Sequence, residues 1–359
     1  MIQDMLNFCR NERKYVLLAL LLAATYGAIT QLETPDESSV AASDALKQFQ
    51  ASEAKLSANL KNSESLETYL RANPETAAVM ALIFIFAGVL YVSGIFVDGA
   101  ILFNGKFRRW LTAPESFEDG TQWKLSMLFK AILLFIAFSI GIQLFLSVIQ
   151  LMVNWLPENL LLLLQTTLVD LFCVYILADL ARQNGGTWRD LGLRVPSRRP
   201  LREVMTGIVG YMGVFPIFIT FLIALVVIAH VLSYEPPAHP LVNIILEEED
   251  RFPFLIIYSV ILATVIAPIL EEIFFRGFCY PILKKRWGAR VAMVLTSAFF
   301  AAIHANLFAF VPIFILGMGL SFIYEKRRSL IAPIALHLVH NSIFIGYFFA
   351  AKKIITAGL

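Results

Sequence analysis

The chain has 359 residues, 58% hydrophobic and only 16% charged, with a net charge of +2. Soluble domains carry roughly 25% charged residues, so this composition excludes a soluble enzyme, a disordered chain and a nucleic-acid binder built on a basic patch. Thirty phenylalanines would overfill an ordinary core, whereas in a bilayer they can face lipid.

A spanning helix needs roughly 20 mostly apolar residues. In chain order such stretches run near 15–32, 76–103, 127–153, 160–181, 204–233, 254–275, 290–306, 308–324 and 330–350. They predict an all-α, polytopic transmembrane bundle of about nine spans. Residues 1–32 hold a short terminus and the first span. Thr25 and Gly27 would make a poor cleavage site, so that span reads as a helix rather than a signal peptide. The polar segment 33–75 contains Pro35 and Pro74, which bracket 36–72. Within it Leu46, Phe49, Leu56, Leu60, Leu66 and Leu70 give a loose helical stripe. That stripe predicts an amphipathic helix resting on the bundle rather than a docking arm. Three further spans occupy 76–181. Gly185, Gly186, Pro196 and Pro200 mark 182–203 as a linker before a five-helix part, 204–350, and a tail, 351–359. The stretches 290–306 and 308–324 are short and nearly continuous, which suggests a tight hairpin. Cys9, Cys173 and Cys279 are far apart and form no CxxC pair, so free thiols are expected.

Lys and Arg in the connections set orientation. With the N-terminus cytoplasmic, about 21 of them fall on the cytoplasmic side and 7 outside, with Lys130 in a span end. Linker 182–203 and connection 277–289 are then cytoplasmic. The acidic run Glu247, Glu248, Glu249 and Asp250 is outside, with segment 33–75 and the C-terminus. Trp110, Trp123, Trp155, Trp188 and Trp287 fall near span ends, as an aromatic belt would place them. A bacterial source would make this the cell (inner) membrane.

Ionisable groups inside a bilayer are costly and need a partner or a task. Glu271, Glu272 and Arg276 share one helix, His304 sits on the next, and His337, His340 and Asn341 on the last. Counting from the basic connections, all three groups lie at comparable depth, roughly 14–20 Å. Asp98, Asp170 and Asp179 are set aside as nearer span ends. Glu272 and Arg276 are i,i+4 and can neutralise each other. Adjacent glutamates point about 100° apart, which leaves Glu271 to face the histidines. His337 and Asn341 are i,i+4 and share a face. A carboxylate and an imidazole can take a proton from water, and His and Asn can donate to an oxyanion. There is no GxSxG elbow and no HExxH zinc motif. His340 reads as helix packing, and His230 and His239 as residues of an outer connection. Gly317, Gly319 and Ser321 read as a close helix crossing.

Three motifs now stand in order: EExxxR at Glu271–Arg276, FxxxH at Phe300–His304 and HxxxN at His337–Asn341. Together they resemble the CAAX-protease and bacteriocin-processing family, the ABI or type II CAAX prenyl endopeptidase group with its Rce1-like glutamate intramembrane proteases. The resemblance covers roughly 200–350. It implies that Glu271 and His304 activate water and that His337 and Asn341 form the oxyanion hole. Glu272 and Arg276 would hold the architecture, with Phe300 beside His304. It further implies metal-independent hydrolysis without a cofactor, on a peptide or membrane-protein substrate in the bilayer.

The expected function is therefore an intramembrane endopeptidase of glutamate type. Two other readings stand beside it. One is a non-catalytic scaffold or immunity-type factor with the same fold. The other is a metal-dependent hydrolase with Glu271, His304 and His337 as ligands.

Overall fold

The computed structural model describes residues 8, 10–32, 44–59, 63–112, 123–153, 155–194, 200–234, 236, 240–249 and 251–357. Cys9, Pro35, Leu60, Pro196, His239 and Asp250 lie outside them. All regular elements among the described residues are helical. They are α1 (Arg13–Leu32), α2 (Asp44–Asn59), α3 (Ser63–Ala72), α4 (Pro74–Phe103), α5 (Gly105–Leu111), α6 (Leu125–Met152), α7 (Glu158–Gln183), α8 (Pro200–Val231) and α9 (Pro240–Glu248). A continuous helical run follows. It comprises α10 (Pro253–Ile261), a π turn (Leu262–Ile266), α11 (Ala267–Glu272), a second π turn (Ile273–Cys279) and α12 (Tyr280–Ala302). Helices α13 (Leu307–Arg327) and α14 (Ile331–Ala357) complete the described structure.

Among the described residues seven helices are long and apolar enough to cross a membrane. The chain is a multi-pass integral membrane protein. The count differs from the expected nine at two places. Helix α1 stands outside the seven, and the stretches 254–275 and 290–306 belong to one run of 50 residues, Pro253–Ala302.

Straight, that run would measure about 75 Å against a hydrocarbon core of about 30 Å. It does not stay straight. Gly288 adopts φ 80° and ψ 167° inside it, and no atom would meet a β-carbon there. The requirement is conformational, since this positive-φ, extended-ψ region is open essentially only to glycine and costs another residue about 1–3 kcal/mol. Phe275 and Phe300, nearly equidistant from Gly288 in sequence, pack ring to ring at 5.1 Å. The run is therefore a hairpin with antiparallel limbs.

Local signals explain the other boundaries. Pro74 and Pro253 open their helices at the first turn, where a missing N–H costs nothing. The Asn104 side chain accepts from the Lys106 and Phe107 amides at 3.0 and 3.1 Å, starting α5 directly after α4. Asn306 does the same for α13 through the Ala309 amide at 3.0 Å.

Helix α13 is the bundle's centre, with 44% of its spanning window buried, against 6% for α4 and for α6. On α4, Phe84 and Phe96 remain 70% and 74% exposed, as expected of a face meant for lipid rather than water. Close crossings need small residues. At Gly207 a β-carbon would lie 2.3 Å from the Ala332 carbonyl oxygen, so α8 and α14 touch backbone to backbone.

Polar contacts sort the connections between two ends. At one end Lys130 pairs with Glu12 at 2.5 Å, Arg202 reaches the Trp110 carbonyl at 2.8 Å, and Arg194 reaches the Arg328 carbonyl at 2.8 Å. The fully buried Arg327–Glu203 pair lies there too. At the other end the Asn159 amide donates to Glu247 and Glu248 at 2.9 and 2.7 Å, and Lys352 pairs with Glu249. Leu46 and Leu56 of α2 are buried, and Phe49 meets Phe348 at 6.4 Å. Helix α2 therefore packs on this second end. Trp123 departs from the aromatic belt. It is 4% exposed and sits edge-on to Phe278 at 5.4 Å, because the start of α6 tucks into the core.

Candidate active site

Both π turns immediately precede a proline-containing first turn, Pro268 after one and Pro281 after the other. Proline has no N–H, and its ring crowds the carbonyl four residues back. The backbone widens to accommodate it. The Ala267 amide bonds to Leu262 and the Tyr280 amide to Phe275, five residues back in each case. Such π turns often occur at functional sites. Here they bracket the six residues of α11, which end in Glu271-Glu272.

The two carboxylates straddle one imidazole. Glu272 Oε1 lies 2.9 Å from His337 Nδ1, and Glu271 Oε2 lies 3.8 Å from His337 Nε2. A carboxylate only accepts, so Nδ1 carries the hydrogen and Nε2 faces Glu271. Side chains 100° apart can share a partner when that partner has two nitrogens. The expectation that Glu272 serves Arg276 alone therefore changes. Its Oε1 also accepts from Arg276 Nη1 at 2.9 Å. Glu272 and Arg276 are fully buried and His337 is nearly so, while the Glu271 side chain keeps 24% exposure.

Arg276 is held on further sides. Its Nη2 donates to the Gly317 carbonyl at 3.1 Å. Its guanidinium lies over the Phe300 ring, 4.7 Å from the centroid, a cation–π contact strengthened by desolvation. The same ring meets His304 at 5.0 Å and His337 at 5.6 Å. Phe300 is thus the shared wall between the histidines rather than a neighbour of His304 alone. His304 sits in the turn after α12, with Nδ1 2.7 Å from the Phe300 carbonyl oxygen. That oxygen only accepts, so Nδ1 carries the hydrogen and Nε2 is the acceptor nitrogen.

Asn341 lies one turn beyond His337. Its Nδ2 donates to the Ala263 carbonyl at 2.7 Å, tying α14 to the first π turn and leaving one amide hydrogen. His340, on another face, is enclosed by Tyr211, Phe218 and Phe344 at 5.7, 4.9 and 4.7 Å.

Asp170 was the residue misplaced by sequence reasoning. It is 12 residues past Glu158 and 13 before Gln183 on α7, about 18–20 Å from either end. It is not near a span end. Its helix packs against α11, the helix that carries Glu271. Its position within its own apolar stretch was the signal. No group of three or more His, Cys, Asp or Glu side chains that could hold a metal occurs among the described residues.

Residues 253–343 match the family model "Type II CAAX prenyl endopeptidase Rce1-like". Over that stretch the chain is similar to the Rce1-like family. A Bacillus subtilis (strain 168) protein named "Putative membrane peptidase YdiL" is 29% identical over 101 residues. That alignment covers 28% of this chain and 40% of the relative's length. No solved structure matches significantly. The matched region begins with α10 and ends within α14, so it encloses both π turns and every motif residue from Glu271 to Asn341. Asp170 enters from outside it.

Proposed function

We propose that this protein is an intramembrane endopeptidase of the CAAX type that hydrolyses a peptide bond with an activated water, without a metal or other cofactor. One observation carries the reading: two adjacent carboxylates flank the two nitrogens of one buried imidazole, at 2.9 and 3.8 Å. The likeness to the Rce1-like family and to a named membrane peptidase supports it.

In this reading Glu271, the more exposed carboxylate, takes a proton from water with help from His304. The water oxygen attacks the scissile carbonyl carbon. His337, carrying a hydrogen on Nε2 as well as on Nδ1, and the remaining amide hydrogen of Asn341 stabilise the oxygen that becomes negative. Glu271 then returns the proton to the departing amine as the C–N bond breaks. Glu272 and Arg276 fix the His337 ring, and Phe300 spaces the histidines.

Comparing the peptides released in membranes containing the wild-type protein or Glu271→Gln tests this. We expect specific products that vanish in the variant while the protein level stays equal. Unchanged products would favour a scaffold. Products that disappear on chelation and return with zinc would favour a metal-dependent hydrolase.

A further inference from the structure

Away from the Rce1-like motif residues, a cavity of about 350 Å³ lies between α4, α8, α12 and α13. That volume is at the low end of the range for small-molecule sites, about 300–1,000 Å³. Its walls are apolar, with Val97, Ile101, Val214, Met318 and Phe322 among them, and one carboxylate, Asp98, lines it. None of the motif residues does.

A carboxylate within a span needs a partner. Among the described residues Asp98 makes no hydrogen bond or ion pair. Arg327, on α13, is held by Glu203. Asp98 is five residues from the end of α4, about 8 Å along the axis, near the boundary of the span and half-buried. Gly213 makes room for it, since a β-carbon there would stand 3.0 Å from Asp98 Oδ1. An apolar volume with one acceptor of negative charge matches a specific chemistry: a hydrocarbon body carrying a protonated primary amine.

We propose that this cavity binds an alkyl amine, with Asp98 taking the ammonium group and the walls from α8 and α13 taking the chain. The site is separate from the hydrolytic one. It does not depend on the proposed reaction.

Photo-crosslinking of the full chain in detergent micelles tests it, using a diazirine-bearing long-chain alkylamine and the matching alkanol. In wild-type protein the amine should crosslink saturably to peptides containing Met293, Ile315 or Met318. It should do so at roughly tenfold lower concentration than the alkanol, the scale of a charge-assisted hydrogen bond. Asp98→Asn should bring the amine to the alkanol's level. Equal labelling of the wild-type protein by amine and alkanol would overturn the proposal, and so would saturable crosslinks confined to other helices. The wild-type comparison decides the matter even if Asp98→Asn folds poorly.

Discussion

At the scale of single residues, the roles proposed for the motif groups divide between holding a shape and meeting a substrate. Glu272 and Arg276 form a buried pair with no exposure, and Glu272 also orients His337. Removing one partner of such a pair typically costs about 3–5 kcal/mol, because the other charge stays buried. Glu272→Gln should therefore lower the melting temperature and remove activity together. Glu271→Gln should remove activity at an unchanged melting temperature, since Glu271 is partly exposed and its contact with His337, at 3.8 Å, is longer than a hydrogen bond. Thermal unfolding in detergent, alongside peptide cleavage, checks both. A Glu272→Gln protein with wild-type stability and turnover would show that the pair does not hold the site. The sequence pointed to most of these residues through depth and i,i+4 spacing. It could not show that Glu272 serves Arg276 and His337 at once. Helical angles say where a side chain leaves the axis, not how many atoms a partner presents. Asp170 was missed for a simpler reason: it belongs to a helix outside the motifs, and only packing brings α7 against α11.

At the scale of elements, the unusual feature is a spanning limb interrupted twice by π turns. Hydrophobic periodicity is too coarse to reveal a single widened turn, but Pro268 and Pro281 were legible breaks. The causal claim is testable. Pro268→Ala restores an N–H that can reach the Thr264 carbonyl, which favours an ordinary α turn over Leu262–Ile266. Closing the turn would rotate Glu271 relative to His337 and disturb the Ala263 carbonyl that Asn341 holds. Small displacements of a reacting group can cost on the order of 10²-fold in rate. Pro268→Ala should thus lose about ten- to a hundredfold in turnover while its melting temperature holds or rises. A stable variant with full turnover would show that the π turn does not place Glu271.

At the scale of the molecule, the charge pattern and the packing agree on which connections share an end. Trp110, Arg194, Arg202, Arg327 and Arg328 meet at one end. Asn159, Glu247, Glu249 and Lys352 meet at the other. The two limbs that meet at Gly288 were legible as separate stretches, 254–275 and 290–306, whereas α1, also read as a span, stands outside the seven helices long and apolar enough to cross. The structure sorts the ends without saying which faces the cytoplasm. The excess of Lys and Arg at the first end argues that it is cytoplasmic. Single cysteines in a background lacking reactive native thiols decide this. Arg189 and Arg290 are exposed at or near the basic end, and Gln50 and Lys353 lie at the other. Intact cells treated with a membrane-impermeant maleimide should be labelled at Gln50→Cys and Lys353→Cys. Arg189→Cys and Arg290→Cys should react only after the membrane is opened. The inverse pattern would turn the bundle over. The turn carrying His304, which joins α12 to α13 at the end away from Gly288, would then face the cytoplasm, and substrates would have to approach from that side.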